Sequence, residues 1–133
     1  MEDKHLISIL NRITNAKRVY RDKAANDILD NPHLIPKLIT KIYDIEDPLH
    51  IKAAWVFELV CLKDITLLTP HIHDFIGGMS ALSHESSLRP VSKICSLWCA
   101  YYFAGHTEKI FLSKEDKEQI ISCNFDWLIE EHK

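Results

Sequence analysis

The sequence predicts an all-α chain of antiparallel helical hairpins, on three observations. Apolar residues recur at spacings of three and four along most of the 133 residues, the period of a helix with one buried face. No stretch alternates with period two for long enough to propose a strand. The apolar pattern of the middle of the chain returns after 37 residues, as expected when one helical unit is used twice. At 47% hydrophobic and 26% charged, the chain has one domain's worth of residues and enough apolar surface to fill a core. Three Gly and five Pro exclude a low-complexity or turn-rich all-β chain.

About seven helices are expected. Leu6, Ile9, Leu10 and Ile13 mark the first, and Val19, Ala24, Ile28 and Leu29 the second, over about 16–30. Asn31-Pro32 breaks the run, because the residue before proline avoids helical geometry. Ile35, Leu38, Ile39 and Ile42 mark the third. Asp47-Pro48 reads as an N-cap with Pro at the first helical position of a fourth helix, which runs to about Leu62. Thr69-Pro70 is expected to start the fifth by the same device, with Ile72, Phe75, Ile76, Met79 and Leu82 as its stripe. Gly77-Gly78 inside it permits a close helix contact or a kink. The sixth runs from about Ser87 to Ala104 and stops at Gly105. Ser113 to Asp116 fits a capping box, opening a seventh helix to about Glu131.

The repeat pairs Ile35 with Ile72, Leu38 with Phe75, Ile39 with Ile76, Ile42 with Met79 and Ile45 with Leu82. In the second helix of each unit it pairs Ile51 with Leu88, Lys52 with Arg89, Ala54 with Val91, Phe57 with Ile94 and Val60 with Leu97. One unit carries Asp47-Pro48 followed by Lys52-Ala53-Ala54; the next carries Thr69-Pro70, Glu85 and Arg89. On these residues the chain resembles the HEAT and armadillo class of α-solenoid repeats, with Lys in place of Arg in the first unit. The resemblance implies a superhelix of stacked hairpins. It also implies that Asp47 with Lys52, and Glu85 with Arg89, act as the acid and base that link neighbouring units. It covers residues 31–104 as two units. Residues 1–30 read as an N-terminal capping hairpin of the same single domain. Residues 113–131 read as the final helix of an incomplete or capping unit. A repeat helix cannot bury its stripe alone. The last helix is therefore expected to fold across the end as a cap, to belong to a shortened or naturally abrupt solenoid, or to be covered by a second subunit; the shortened or abrupt solenoid is the reading taken.

The net charge of −3 does not suit a chain that binds nucleic acid over its whole surface. Its distribution is uneven: residues 1–25 carry a net +3 and 26–133 a net −6. The basic excess centres on Lys17, Arg18, Arg21 and Lys23, a patch suited to an acidic partner. No Cys belongs to a C-x-x-C pair, and three of the four lie in apolar runs. That favours a reducing compartment, and with no secretory signal or membrane-spanning run the cytoplasm is expected.

Phosphate-loop, dinucleotide, nucleophile-elbow and zinc-protease motifs are absent from the sequence. His71 and Asp74 could share a helix face, but a metal needs further ligands, and His71 and His73 would point about 160° apart. No cofactor or metal is expected, and the other histidines are expected at the surface. Glu58 lies among large apolar residues, either as a semi-buried acid or base or as half of an ion pair with Lys93. Trp55 and Trp98 lie on second helices, where a groove wall or the core would take them. The function expected is a non-catalytic protein-binding or scaffold module. It would take a protein or peptide on the concave face through Lys52, Trp55, Glu58, Arg89, Lys93 and Ser96. The chain would be a monomer, or a weak dimer through its C-terminal helix. Two alternatives stand beside this: a nucleic-acid module using the basic N-terminal face, and a small enzyme or metal protein using Glu58 or His71 and Asp74.

Overall fold

Amphipathic spacing and the two Asn/Asp-Pro breaks dictate most of the helix order found in the computed structural model, which describes residues 4–14, 17–79, 82, 85–102, 104 and 113–121. Every regular element among them is helical. α1 is Lys4–Asn11 and α2 is Arg18–Asp30. A 3-10 turn over Pro32–Leu34 leads into α3, Ile35–Tyr43. α4 is His50–Lys63, a 3-10 segment covers Ile65–His71, and α5 is Ile72–Gly78. α6 is Glu85–Tyr101, and α7 spans residues 114–121.

α4 is the hub. It packs against α2, α3 and α6, while α3 also touches α5. This explains why α4 buries nearly its whole circumference: Ala53, Ala54, Val56, Phe57, Leu59, Val60 and Cys61 are all covered. The first helices of the two repeat units bury equivalent residues. Ile35, Leu38, Ile39 and Ile42 are buried on α3, and Ile72, Phe75, Ile76 and Met79 on or beside α5. Ile45 departs from the pattern at 51% exposed, whereas Leu82 is buried. Ile120 of α7 belongs to the same core.

Asp47 organises the α3–α4 turn, but not as expected. Its Oδ1 accepts from the Leu49 amide at 2.8 Å, and α4 begins two residues beyond Pro48. Its Oδ2 accepts from Lys41 Nζ at 2.6 Å, with both side chains largely buried. The acid's partner is therefore Lys41 on the preceding helix, not Lys52. The Lys41 ammonium meets the carboxylate there, largely out of bulk water. His50, expected at the surface, is buried, with Nδ1 3.0 Å from the Asp47 carbonyl oxygen.

Thr69-Pro70 does not start a helix either. Asp64 caps the 3-10 segment through the Thr66 amide at 3.1 Å and the Thr66 hydroxyl. Pro70 falls inside that segment, and α5 begins at Ile72. Thr69 instead accepts a hydrogen bond from Trp98 Nε1 at 3.2 Å. Trp98 is fully buried and stacks on Tyr102 at 5.2 Å between ring centroids, so it belongs to the core and not to a groove wall. The capping box at the start of α7 forms in both directions: the Asp116 amide donates to Ser113 Oγ at 3.0 Å, and the Ser113 amide donates to Asp116 Oδ2 at 3.2 Å. Gly105, the side chain of Glu85, Cys123, Trp127 and the expected helix beyond residue 121 lie outside the described residues.

Candidate functional site

A helix packed on three sides keeps one strip free. On α4 that strip is Lys52, Trp55, Glu58 and Leu62, spaced by three and four. The first three are half-buried, and Leu62 is 44% exposed. Trp55 is not bare. The guanidinium of Arg21, on the neighbouring α2, sits 5.4 Å from its ring centroid, a cation over the negative face of an aromatic system. Arg21 Nε is buried and meets no hydrogen-bond acceptor among the described residues. Among the described residues, no carboxylate lies within ion-pair distance of Arg21, Lys52 or Lys93. Two groups of residues that look separate in the sequence, the basic N-terminal patch and the α4 stripe, thus meet at Arg21 and Trp55. Leu62 adds apolar surface to the strip, which the sequence reading did not include.

The rest of the basic patch is spread around the start of α2. Lys17 precedes the helix, Arg18 pairs with Asp22 at 3.6 Å one turn on, and Lys23 is exposed on another face. Lys23 lines a cleft of about 260 Å³ beside α1 and α2, together with Ile9, Val19 and Tyr20. Arg12, at the end of α1, reaches Asp27 at 3.4 Å.

On α6, Arg89, Lys93 and Ser96 are all exposed, but the set divides by register. Arg89 falls 37 residues after Lys52, at an equivalent position. Lys93 and Ser96 fall at the positions of Val56 and Leu59, which α4 buries. The positions of Trp55 and Glu58 are taken on α6 by Ser92 and Cys95, both buried. The open strip of α6 is therefore rotated by about one residue, roughly 100°, from that of α4. Among the described residues no ion pair joins Glu58 to Lys93.

The candidates for metal or catalytic chemistry do not converge. Among the described residues His73, not His71, finds a partner: its Nδ1 lies 3.0 Å from Asp116 Oδ2, tying α5 to α7. Asp74 is exposed, and among the described residues no group of three His, Cys, Asp or Glu could hold a metal ion. Burial pushes the Cys61 thiol well above its ordinary value, leaving a poor nucleophile. Cys99 is different: its hydrogen bond with Cys95 one turn away outweighs partial burial and pulls its thiol below the ordinary value. No helix among the described residues is long and apolar enough to cross a membrane.

Compared with protein-family models, curated proteins and solved structures, the chain matches none.

Proposed function

We propose that the chain is a non-catalytic protein-interaction module, a short HEAT-like solenoid that binds a protein or peptide segment along the second helices of its hairpins. The observation that carries this reading is the open strip of α4, where an aromatic surface lies among charges not paired by any described carboxylate. Interface centres favour tryptophan and arginine, and Arg21 over Trp55 brings both to one point. Lys52, Glu58 and Leu62 continue the contact along α4, and Arg89 extends it to α6. Lys93 and Ser96 form its outer edge. The chain of contacts in which α4 joins α2 to α6, and α3 touches both α4 and α5, supports the solenoid arrangement. A reducing, cytoplasmic setting suits the buried thiols of Cys61 and Cys95.

Selection of displayed peptides against the purified chain tests the reading. A consensus peptide should bind wild type and lose affinity for Lys52→Glu/Arg89→Glu, with circular dichroism unchanged. A consensus that binds the double variant as well as wild type contradicts this surface. A drop in thermal stability without a change in binding would assign these cations to holding the hairpins together.

A further inference from the structure

We infer that the partner segment is acidic, and that one of its carboxylates is received by Arg21 where that guanidinium covers Trp55. This rests on the interaction reading above and adds the chemistry of the occupant. Charge complementarity at a defined point carries it. The chain as a whole is net negative, yet the surroundings of Trp55 are not. Arg21 lies over the ring and Lys52 lies one turn back on α4, while Arg18 and Asp22 on α2 offset each other as a pair. Among the described residues of the α4 strip the acid is Glu58, one turn beyond Trp55. Packing against the ring orients the guanidinium and shields its inner edge, where Nε is buried. A guanidinium already held in place loses less side-chain freedom on binding than a free one, and its planar fork matches a carboxylate. The hydrocarbon part of the same segment would lie along Trp55 and Leu62. Glu58 gives the site direction: it repels a carboxylate at its own end, so acidic residues sit toward Lys52.

Nucleic acid is the competing occupant, since it too is anionic and stacks on tryptophan. The observations favour a peptide. Trp55 has one ring face covered by Arg21, and Glu58 interrupts the cations along α4 where a phosphate backbone would require a continuous track.

The test uses the full chain and a short fluorescein-labelled peptide of repeating Glu-Glu-Leu, read by anisotropy at low salt. A peptide with Lys for Glu and an oligothymidylate of equal charge serve as controls. Arg21→Glu should weaken the acidic peptide about tenfold, while Glu58→Lys should tighten it several-fold, since charge changes at an interface act through complementarity. The opposite signs separate a charge response from misfolding, which would lower both, and Lys114→Glu on the exposed face of α7, which should leave binding unchanged, separates this site from non-specific attraction. Equal response to both variants, preference for the Lys peptide, or tighter binding of oligothymidylate overturns the proposal. If the displayed-peptide selection instead yields a neutral or basic consensus that depends on Trp55, the acidic assignment fails and the interaction reading stands. A consensus that ignores Trp55, Lys52 and Arg89 removes both.

Discussion

Adjacent glycines at the end of α5 should respond in opposite directions to the same substitution. A Cβ built on Gly77 meets nothing within 4 Å, whereas one on Gly78 would collide with Tyr43 Cδ2 and lie 2.5 Å from Cγ. Ordinary carbon contacts are about 3.5–4.0 Å, so the ring or the helix has to move. Tyr43 is held. Its hydroxyl donates to the Phe75 carbonyl oxygen at 2.5 Å, and its ring packs on Phe75 at 6.0 Å. Phe75 in turn packs on Phe57 of α4 at the same separation. Overpacking costs about 1–3 kcal/mol, and a lost hydrogen bond adds about 1 kcal/mol. The helix-propensity gain from replacing Gly returns at most about 1 kcal/mol. Gly78→Ala should therefore lose about 1–3 kcal/mol, while Gly77→Ala should gain about 0.5–1 kcal/mol. For a chain of this length each kcal/mol moves the melting temperature by about 3–5 °C. Thermal melts followed by far-UV circular dichroism should thus place Gly77→Ala above wild type and Gly78→Ala below it. Adding Tyr43→Ala should make the cost of Gly78→Ala largely vanish. A Gly78→Ala protein that melts with or above Gly77→Ala would refute the argument.

Three further outcomes follow from the same contacts. Burial alone would raise the Asp47 carboxyl, but the Lys41 hydrogen bond and the Leu49 amide outweigh it and hold it below the ordinary carboxylate range. A depressed carboxyl stabilises the fold above its unfolded-state value, and that stability is lost as pH falls through the folded-state value. Asp47→Asn should therefore cost about 1–3 kcal/mol at neutral pH and flatten the loss of stability below about pH 4; an unchanged acid limb in urea titrations would contradict this. Ser113→Ala removes one half of the α7 capping box and should cost about 1 kcal/mol locally, seen as faster hydrogen exchange over residues 114–121 with α4 unaffected. Iodoacetamide at neutral pH should alkylate Cys99 before Cys61 and Cys95, as read by peptide mass spectrometry, because its thiol is lowered and partly exposed; earlier labelling of Cys61 would be inconsistent with its burial.

Local signals carried most of the fold. The capping box of Ser113 and Asp116 is legible because both partners lie within one turn. The stripes of α3 and α5 are legible because one buried face imposes one period. The failures are non-local or come from a template. Asp47 has bases on both sides, and the HEAT-like pattern pointed to Lys52, whereas the turn geometry brings Lys41 to it. Thr69-Pro70 resembles a helix start, yet Asp64 upstream already caps the chain into a 3-10 path. Tyr43 with Phe75, and His73 with Asp116, are joined across intervals with no period to reveal them. The candidate site was half legible. Spacing placed Lys52, Trp55 and Glu58 on one face of α4, but Arg21 joins Trp55 only because α2 packs beside α4. The exposed strip of α6 is offset from that of α4, which packs against α2, α3 and α6, a difference that one averaged repeat register conceals.

The central claim is that the open strip of α4 around Trp55 is a binding surface. Its most direct measurement is calorimetric titration of a display-selected peptide into wild type, Trp55→Ala and Arg21→Ala, each checked for folding by circular dichroism. A central tryptophan anchor predicts at least about a tenfold loss of affinity for Trp55→Ala, a smaller loss for Arg21→Ala, and little change in melting temperature for the latter. Undiminished affinity in both folded variants would contradict the account.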